Sequence, residues 1–185
     1  MRIALVSDLH GQSQTLGYIS QIVANDSPDA LILSGDVTTR DNTDFLEKLF
    51  KIFSDKNVVA FVIWGNSDGP AARKMIASSR YNANLAAQKI GDDKIYGIGE
   101  SDLPQNLDSA AIKDSILVTH KPPLSSVLSQ NLPNAPRFHV CGHLHTRKIF
   151  RKFKATKLIQ VPSLINAAYA IFDPQRESVE FKSLK

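Results

Sequence analysis

The chain opens with MRIALVSDLH (residues 1–10), an apolar run that ends in the polar triplet Asp8-Leu9-His10. Residues 2–7 have the length and composition of a buried β-strand, because the run is short, apolar and followed at once by polar residues. The run carries one positive charge and lacks the longer apolar region and small-residue cleavage site of a signal peptide. We therefore expect a core strand that delivers Asp8 and His10 at its carboxyl end.

The same arrangement of a strand followed by a polar pair occurs twice more in the first half of the chain. A strand predicted over 30–34 ends at Gly35-Asp36, and one predicted over 58–64 ends at Gly65-Asn66. Alternating strands and helices predict a mainly parallel sheet, in which ligands collect beyond the carboxyl ends of the strands. We therefore expect these polar side chains to meet at one edge.

Helices are predicted between these strands. Apolar residues at helical spacing over 13–25 and 45–53 indicate two amphipathic helices, and Ser13 is a candidate N-cap for the first. Pro70 is typical of the first turn of a third helix, which Ser67 or Asp68 could cap.

The second half of the chain is predicted to be mostly β. Strands over 116–119 and 137–141 would deliver His120 and His143. Further short β segments are predicted near 85–99 (two strands), 148–153, 157–161, 167–172 and 179–182, with a long loop over 122–136. Helix layers outside two packed sheets would accommodate this order in a single domain over 1–185.

Composition limits the function classes only weakly. The 43% hydrophobic and 22% charged content is ordinary for a globular protein, and no apolar run approaches the ~20 residues that span a bilayer. Cys141 is the only cysteine, so no intrachain disulfide can form, which fits the cytoplasmic location that we expect. A net charge of +4 favours anionic partners only mildly.

Seven side chains at the predicted strand ends have the chemistry of metal ligands. They are Asp8, His10, Asp36, Asn66, His120, His143 and His145. Two divalent ions ~4 Å apart can bind the oxygens of a phosphate and hold a hydroxide in line with phosphorus. Asp36 is a candidate bridge between two ions, because a carboxylate has two oxygens.

Each phrase taken alone also has an ordinary structural explanation. Asp-x-His could be a loop with a capping aspartate, Gly-Asp and Gly-Asn are common turn pairs, and His120 could be structural. Gly142-His143-Leu144-His145 is the stronger signal, since His143 and His145 point the same way on an extended backbone.

All five phrases in this order resemble the signature of the calcineurin-like metallophosphoesterase family, and in particular its small archaeal and bacterial phosphodiesterases. The signature reads D-x-H, G-D, G-N, H and G-H-x-H, and the match runs from Asp8 to His145. The resemblance implies a four-layered α/β/β/α sandwich of two mixed sheets. It also implies the metal ligands: Asp8, His10 and His145 for one ion, Asn66, His120 and His143 for the second, and Asp36 as the bridge. Manganese is the expected ion, with iron, zinc and nickel as alternatives.

One position departs from the family's pattern. Many active members read G-N-H-D or G-N-H-E at the third motif, and the histidine is thought to protonate the leaving group. Here the phrase is Gly65-Asn66-Ser67-Asp68, and a serine hydroxyl is too weak an acid for that role. Small phosphodiesterases of the family and its retromer scaffold subunit also lack this histidine, but the scaffold loses some metal ligands as well.

The resulting expectation is a phosphodiesterase that attacks a small or activated phosphodiester with metal-bound hydroxide, and Asp36, Asn66 and His120 are its expected catalytic residues. A protein-interaction scaffold on the same fold, with little or no turnover, is the first alternative. A phosphomonoesterase or a nuclease is the second. Nucleic acid is not the favoured partner, no membrane association is expected, and the sequence does not give the oligomeric state.

Other residues attract attention but have simpler interpretations. We expect His139 to be structural, Cys141 to be a buried strand residue and Trp64 to pack in the core. A basic segment over 147–157 has two interpretations, an extension of an anionic or nucleic-acid binding surface and a solvated hairpin with charged edges. We favour the hairpin, and Phe150 and Phe153 within it are assigned to the core.

Overall fold

The computed structural model describes residues 1–100, 112–122, 135–153 and 155–184. Within them the chain forms three α-helices, one 3₁₀ turn and two β-sheets. The helices are α1 (Ser13–Asp26), α2 (Thr43–Asp55) and α3 (Pro70–Ser78), and the 3₁₀ turn is Leu164–Asn166. The strands are β1 (Ile3–Val6), β2 (Ala30–Ser34), β3 (Ala60–Ile63), β4 (Ala87–Ile90), β5 (Asp93–Ile98), β6 (Ile116–Thr119), β7 (Phe138–Cys141), β8 (Ile149–Phe153), β9 (Thr156–Gln160), β10 (Ala168–Asp173) and β11 (Ser178–Ser183).

The first sheet has the strand order β11-β10-β1-β2-β3. The three strands from the first half of the chain are parallel, with Ile3 opposite Ala30 and Leu31 opposite Ala60. Strands β10 and β11 extend this sheet in the antiparallel direction. The carboxyl ends of β1, β2 and β3 therefore lie at one edge, as the alternating pattern predicts.

The second sheet has the order β4-β5-β6-β7-β9-β8. Strands β5, β6, β7 and β9 are parallel, and β4 and β8 are antiparallel edge strands. Both sheets are thus mixed. The predicted α/β class with two mixed sheets and helices is confirmed.

The core lies on both faces of the first sheet, because its three parallel strands β1, β2 and β3 are buried at every position. In β1, Ala4 and Val6 face the helices, whereas Ile3 and Leu5 face the second sheet. The second sheet contributes alternate residues such as Val118 and Val140 to the same inter-sheet layer. This two-sided burial holds the three strand ends in fixed positions.

The outer face of the second sheet carries a smaller apolar cluster. It consists of Tyr96, Ile98, Ile112 and Leu117. Residues 101–111 and 123–134 lie outside the described residues, and with them most of the loop predicted over 122–136.

Two details differ from the sequence-based predictions of helix caps. Helix α1 begins at Ser13 itself, and its N-cap residue Gln12 makes no side-chain capping bond. Gly69, rather than Ser67 or Asp68, is the N-cap residue of α3. The hydrogen-bond acceptor for the first turn of α3 comes from the loop between β2 and α2, where Asp41 Oδ1 accepts a hydrogen bond of 2.7 Å from Ala71 N–H.

The prediction that Phe150 belongs to the core is wrong. Its side chain is 36% exposed, because β8 is an edge strand and no further strand covers it. Phe153 is half-buried. In the described part of the chain, no helix has the length and apolar character needed to cross a bilayer.

Candidate metal centre

The polar phrases of the sequence meet at one end of the two sheets. Asp8 and His10 follow β1, Asp36 follows β2 and Asn66 follows β3. His120 follows β6, and His143 and His145 follow β7 of the other sheet. The site therefore lies across the inter-sheet layer, and each sheet supplies part of it.

One group of three side chains consists of Asp8, His10 and His145, whose ligand atoms all lie within 4.8 Å of one another. The Nε2 atoms of the two histidines are 3.3 Å apart, and Asp8 Oδ1 is 3.4 Å from His145 Nε2. Asp8 is fully buried, but within the described residues its Oδ1 has no hydrogen-bond partner.

A second group consists of Asp36, His120 and His143, again with ligand atoms within 4.8 Å of one another. Asp36 Oδ2 is 3.3 Å from His120 Nε2, and His120 Nε2 is 3.3 Å from His143 Nδ1. The same Asp36 oxygen is 3.7 Å from His10 Nε2 of the first group. One carboxylate oxygen thus faces both groups.

The ring of His120 is oriented by the first sheet. Its Nδ1 lies 2.9 Å from the backbone carbonyl of Ser34, so Nδ1–H donates there and Nε2 is turned towards Asp36. Gly35 makes this packing feasible, because a Cβ at this position would lie 2.7 Å from His120 Nδ1. The glycine of the G-D phrase is therefore required by a histidine that lies 85 residues further along the chain.

Asp36 is fixed by Ser67 as well. Ser67 N–H donates to Asp36 Oδ1 at 2.7 Å, and Ser67 Oγ–H donates to Asp36 Oδ2 at 2.8 Å. Burial acts to raise the pKa of the Asp36 carboxyl, but the contact with His120 and the bonds from Ser67 outweigh it and lower that pKa to about 2. Asp36 is therefore ionised at neutral pH.

The two histidines of the second group respond differently to their surroundings. Burial acts to lower the pKa of His120, but its contact with Asp36 and the nearby charge of Asp8 raise it overall. Burial and the charge of His120 lower the pKa of His143. One imidazole of the pair is therefore kept neutral, as a metal ligand must be.

Asn66 is exposed beside these two groups. Its amide nitrogen lies 3.3 Å from Ser67 Oγ, and Ser67 in turn donates to Asp36. Asn66 is thus linked through Ser67 to Asp36, the side chain that faces both groups.

Four candidate ligands adopt left-handed backbone conformations that residues other than glycine rarely occupy. The φ angles are 54° at Asp8, 49° at His10, 49° at Asp36 and 69° at His143. Backbone bonds hold two of them in place, from Asp8 N–H to Gly35 O at 3.1 Å and from His10 N–H to Asp36 O at 2.9 Å. Such strain persists only where the surrounding structure over-determines it, and it concentrates at functional sites.

Asp68 is a buried carboxylate that joins two of the ligand-bearing loops. It accepts hydrogen bonds from the backbone N–H groups of Val37, Thr38 and Gly65 and from the Thr38 hydroxyl, at 2.6 to 3.2 Å. Burial raises its pKa. Its oxygens face the backbone rather than the metal groups, which favours a positioning role over that of a replacement acid.

The remaining residues that the sequence singled out have structural contacts. His139 is buried with its Nε2 2.8 Å from Thr119 Oγ1, and burial lowers its pKa to about 4. Cys141 is buried, and burial raises the pKa of its thiol. Trp64 packs against the helix-side core and donates from Nε1 to Glu100 O at 3.2 Å.

Sequence reasoning missed several residues that support the site. Ser163 Oγ–H donates to Asp8 O at 2.8 Å. Arg73 donates to the carbonyls of Asp68 and Gly65 at 2.7 and 3.2 Å, which ties α3 to the loop after β3. No sequence pattern marks these contacts, because they join backbone groups to residues on other elements.

The donor set fits divalent metal ions. Three neighbouring imidazole and carboxylate groups in each cluster are the ligands that manganese, iron, zinc and nickel accept. The buried, unpartnered Asp8 Oδ1 is costly without a cation, since burial of an unpaired charge is unfavourable. A cation between Asp8, His10 and His145 would remove that cost.

Several solved structures share this fold. The chain superposes on the protein TT1561 of Thermus thermophilus with a TM-score of 0.81 at 13% identity, covering 100% of this chain and 99% of that one. An archaeal phosphodiesterase matches with a TM-score of 0.66 at 16% identity, covering 100% of both chains. Yfce, a phosphoesterase from E. coli, matches with a TM-score of 0.59 at 16% identity and the same coverage. These identities are low, so the likeness concerns the fold.

A comparison with curated proteins gave no match. The family model described as calcineurin-like phosphoesterase matches residues 1–147, which include every phrase of the signature. The chain therefore belongs to the calcineurin-like phosphoesterase family of metal-dependent hydrolases.

Proposed function

We propose that the protein is a phosphodiesterase with a dinuclear metal centre, acting on a small or activated phosphodiester. The observation that carries this proposal is the pair of convergent ligand groups with one Asp36 oxygen facing both. The fold is shared with an archaeal phosphodiesterase and an E. coli phosphoesterase, and this likeness supports the proposal of a phosphoester substrate.

The proposed ligands are divided between two ions. Asp8, His10 and His145 would hold one, Asn66, His120 and His143 the other, and Asp36 would bridge them. Such ions supply Lewis-acid stabilisation of the phosphate and activation of water at neutral pH. We propose manganese as the physiological ion.

The protein's own residues keep these ligands ready. The Ser34 carbonyl fixes the tautomer of His120, and Ser67 N–H and Oγ–H keep the Asp36 carboxylate ionised and oriented. Asp68 keeps the loops after β2 and β3 at a constant separation. This preorganisation places the charges before substrate binds, which is where electrostatic catalysis gains most.

Ser67 limits the range of leaving groups. Its hydroxyl donates to Asp36, and it has no group that protonates a departing alkoxide at neutral pH. An aryl leaving group needs no such proton, because a phenolate is already a weak base. We therefore propose a preference for aryl or similarly activated diesters over alkyl diesters.

A catalytically weak interaction scaffold is the second candidate. The serine at the third motif favours it. The complete set of seven candidate ligands speaks against it, because a scaffold has no need to maintain four strained backbone conformations at a ligand cluster.

The decisive experiment is hydrolysis of bis-p-nitrophenyl phosphate beside p-nitrophenyl phosphate after loading with Mn²⁺, with Asp36→Ala as control. We expect metal-dependent cleavage of the diester that is abolished in Asp36→Ala. Absence of cleavage of either ester in protein shown to contain metal would make the scaffold the better proposal.

A methyl aryl diester and a dialkyl diester test the role of Ser67. We expect the protein to cleave the aryl ester much faster, and Ser67→His to raise the alkyl rate more than the aryl rate. Ser67→Ala is the matched control, because it removes the hydroxyl without adding an acid. Equal rates on both esters in the parent protein would contradict the argument about the leaving group.

A further inference from the structure

The positive charge of the protein is concentrated in one short segment. Residues 147–157 contain Arg147, Lys148, Arg151, Lys152, Lys154 and Lys157, six of the 22 lysines and arginines. The other 16 are outnumbered by the 18 aspartates and glutamates, and residues 115–172 contain no acidic residue at all. The net charge of +4 therefore arises entirely from this segment.

Four of these cations have no compensating partner within the described residues. Arg147, Lys148, Arg151 and Lys152 are exposed, and the structure records no ion pair for any of them. Lys157 alone is paired, with Glu177, and Lys154 lies outside the described residues. Lys152 stands directly opposite Lys157 in the β8–β9 ladder, where like charges oppose pairing.

Protection of a sheet edge does not require such a concentration of charge. Natural edge strands are also protected by short length, by proline, by bulges or by a covering helix or loop. The edge strand β11 carries Glu180 and Lys182, of opposite sign, and the edge strand β4 carries only Lys89. Strand β8 instead carries two charges of one sign, Arg151 and Lys152, and Arg147 and Lys148 come directly before it.

The segment also begins at the candidate metal centre. Ile149, the first residue of β8, pairs with Gln160, and Gln160 pairs with Cys141 at the end of β7. His143 and His145 come directly after that end. Strand β8 then runs away from the centre, and Lys148 and Lys152 are separated by four residues, or about 13 Å.

An aromatic ring is exposed along the same strand. Phe150 is 36% exposed between Lys148 and Lys152. The combination of unpaired cations along an edge with an exposed aromatic ring is what single-stranded nucleic acids bind, through phosphates and stacked bases.

We propose that β8 and the residues leading into it, 147–152, bind single-stranded nucleic acid, with one end of the strand directed towards the metal centre. Phe150 stacks on a base, and Lys152 on the same face of β8 contacts a phosphate beside it. Arg151 contacts a phosphate from the opposite face, and Arg147 and Lys148 contact phosphates from the residues that lead into the strand. This binding surface goes beyond the proposed hydrolysis of small diesters, and its test does not depend on turnover.

The test is fluorescence anisotropy with a labelled single strand of about 12 nucleotides, a length within the site sizes of such surfaces. Binding is measured for the full chain between about 50 and 200 mM salt, and the oligonucleotide is checked for integrity afterwards. Arg151→Gln/Lys152→Gln is compared with Lys48→Gln/Lys56→Gln, which removes the same charge from exposed positions on and after α2.

We expect the β8 double variant to weaken binding at least tenfold and to reduce the slope of log affinity against log salt by about 1.4, for two lost phosphate contacts. The α2 variant should bind like the parent. Phe150→Ala should weaken binding by about fivefold or more without changing the slope, and thermal unfolding checks that each variant is folded.

Three outcomes would overturn the proposal. They are no binding by the parent at the lowest salt, equal weakening in the α2 control, and binding of anionic phospholipid vesicles in preference to the oligonucleotide. A parent that binds the strand but cleaves no diester would leave this proposal standing and remove the proposed hydrolysis.

Discussion

The two ligand groups have the same composition, one carboxylate and two imidazoles, but the protein holds them very differently. His120 of the second group is buried and bonded to the Ser34 carbonyl, whereas His145 of the first group is 45% exposed. Asp36 accepts two hydrogen bonds from Ser67, whereas Asp8 accepts one, from His143 N–H at Oδ2, and its buried Oδ1 accepts none in the described part of the chain.

The two halves of the proposed metal centre therefore differ in how hydrogen bonds hold their ligands. The second group is preorganised by hydrogen bonds that exist without any ion. The first group leaves one oxygen of a buried carboxylate, Asp8 Oδ1, without a hydrogen bond, and a cation would supply the missing partner. We therefore expect the second group to bind its ion more tightly and the first group to exchange its ion more readily.

Removing one histidine from each group should have the largest and most unequal effects. His120→Ala should lower kcat/KM for the diester by about 1,000-fold or more, since it removes several kcal/mol of Lewis-acid stabilisation, and added metal should not restore it. His145→Ala should lose only about 10- to 100-fold and recover in part at high metal concentration. For both variants, kcat/KM is measured as a function of metal concentration, and metal content is measured by elemental analysis. Equal losses of kcat/KM that added metal does not restore would contradict the distinction between the groups.

Two carboxylates should have opposite effects on stability: Asp68, which supports the loops of the second group, and Asp8 of the first group. In metal-free protein, Asp68→Ala should lower the free energy of unfolding by about 3 kcal/mol or more, because it leaves the buried N–H groups of Val37, Thr38 and Gly65 without an acceptor. Asp8→Asn should instead raise it by about 1 kcal/mol, because a neutral amide replaces a buried charge with an unpartnered oxygen. The free energy of unfolding of both variants is measured by denaturant titration in the presence of a chelator. A lower value for Asp8→Asn than for the parent would show that the unpartnered Asp8 Oδ1 has no destabilising effect.

A smaller effect than that of Asp68→Ala is expected in the acid stability of the second group. The pKa of Asp36 is lowered from 3.8 to about 2 in the folded protein. Because the folded-state pKa is the lower one, its contribution of about 2 kcal/mol is fully present above pH ~4 and is lost as the pH falls through about 2. Unfolding of metal-free protein from about pH 5 to pH 2 should show this slope, and Asp36→Asn should lack it. A parent and variant with the same slope would place the acid-sensitive group elsewhere.

Much of the site could be predicted from the sequence because each ligand follows a strand directly. Strands β2 and β6 match the predicted ranges 30–34 and 116–119, and every predicted ligand lies at the sheet edge where the pattern puts it. A short apolar run that ends in a polar residue fixes both the strand and the point where its side chains leave the core.

The supporting contacts could not be predicted, because they depend on distances between elements. Gly35 must accommodate the ring of His120, and the acceptor for that ring is a backbone carbonyl with no signal in the sequence. The N-cap predictions at Ser13 and Ser67 were wrong for a related reason. Ser67 is engaged by Asp36, and Asp41 from another loop serves α3 instead.

The separation of the ligands along the chain has a consequence for how the protein matures. His10 and His145 are 135 positions apart and come from different sheets, yet their ring nitrogens are 3.3 Å from each other. Contacts between such distant segments form late in folding, so the centre does not exist until both sheets are nearly complete. The ions present when the two sheets meet therefore compete for the completed set of ligands, and metal availability as well as ligand chemistry decides which ion is held.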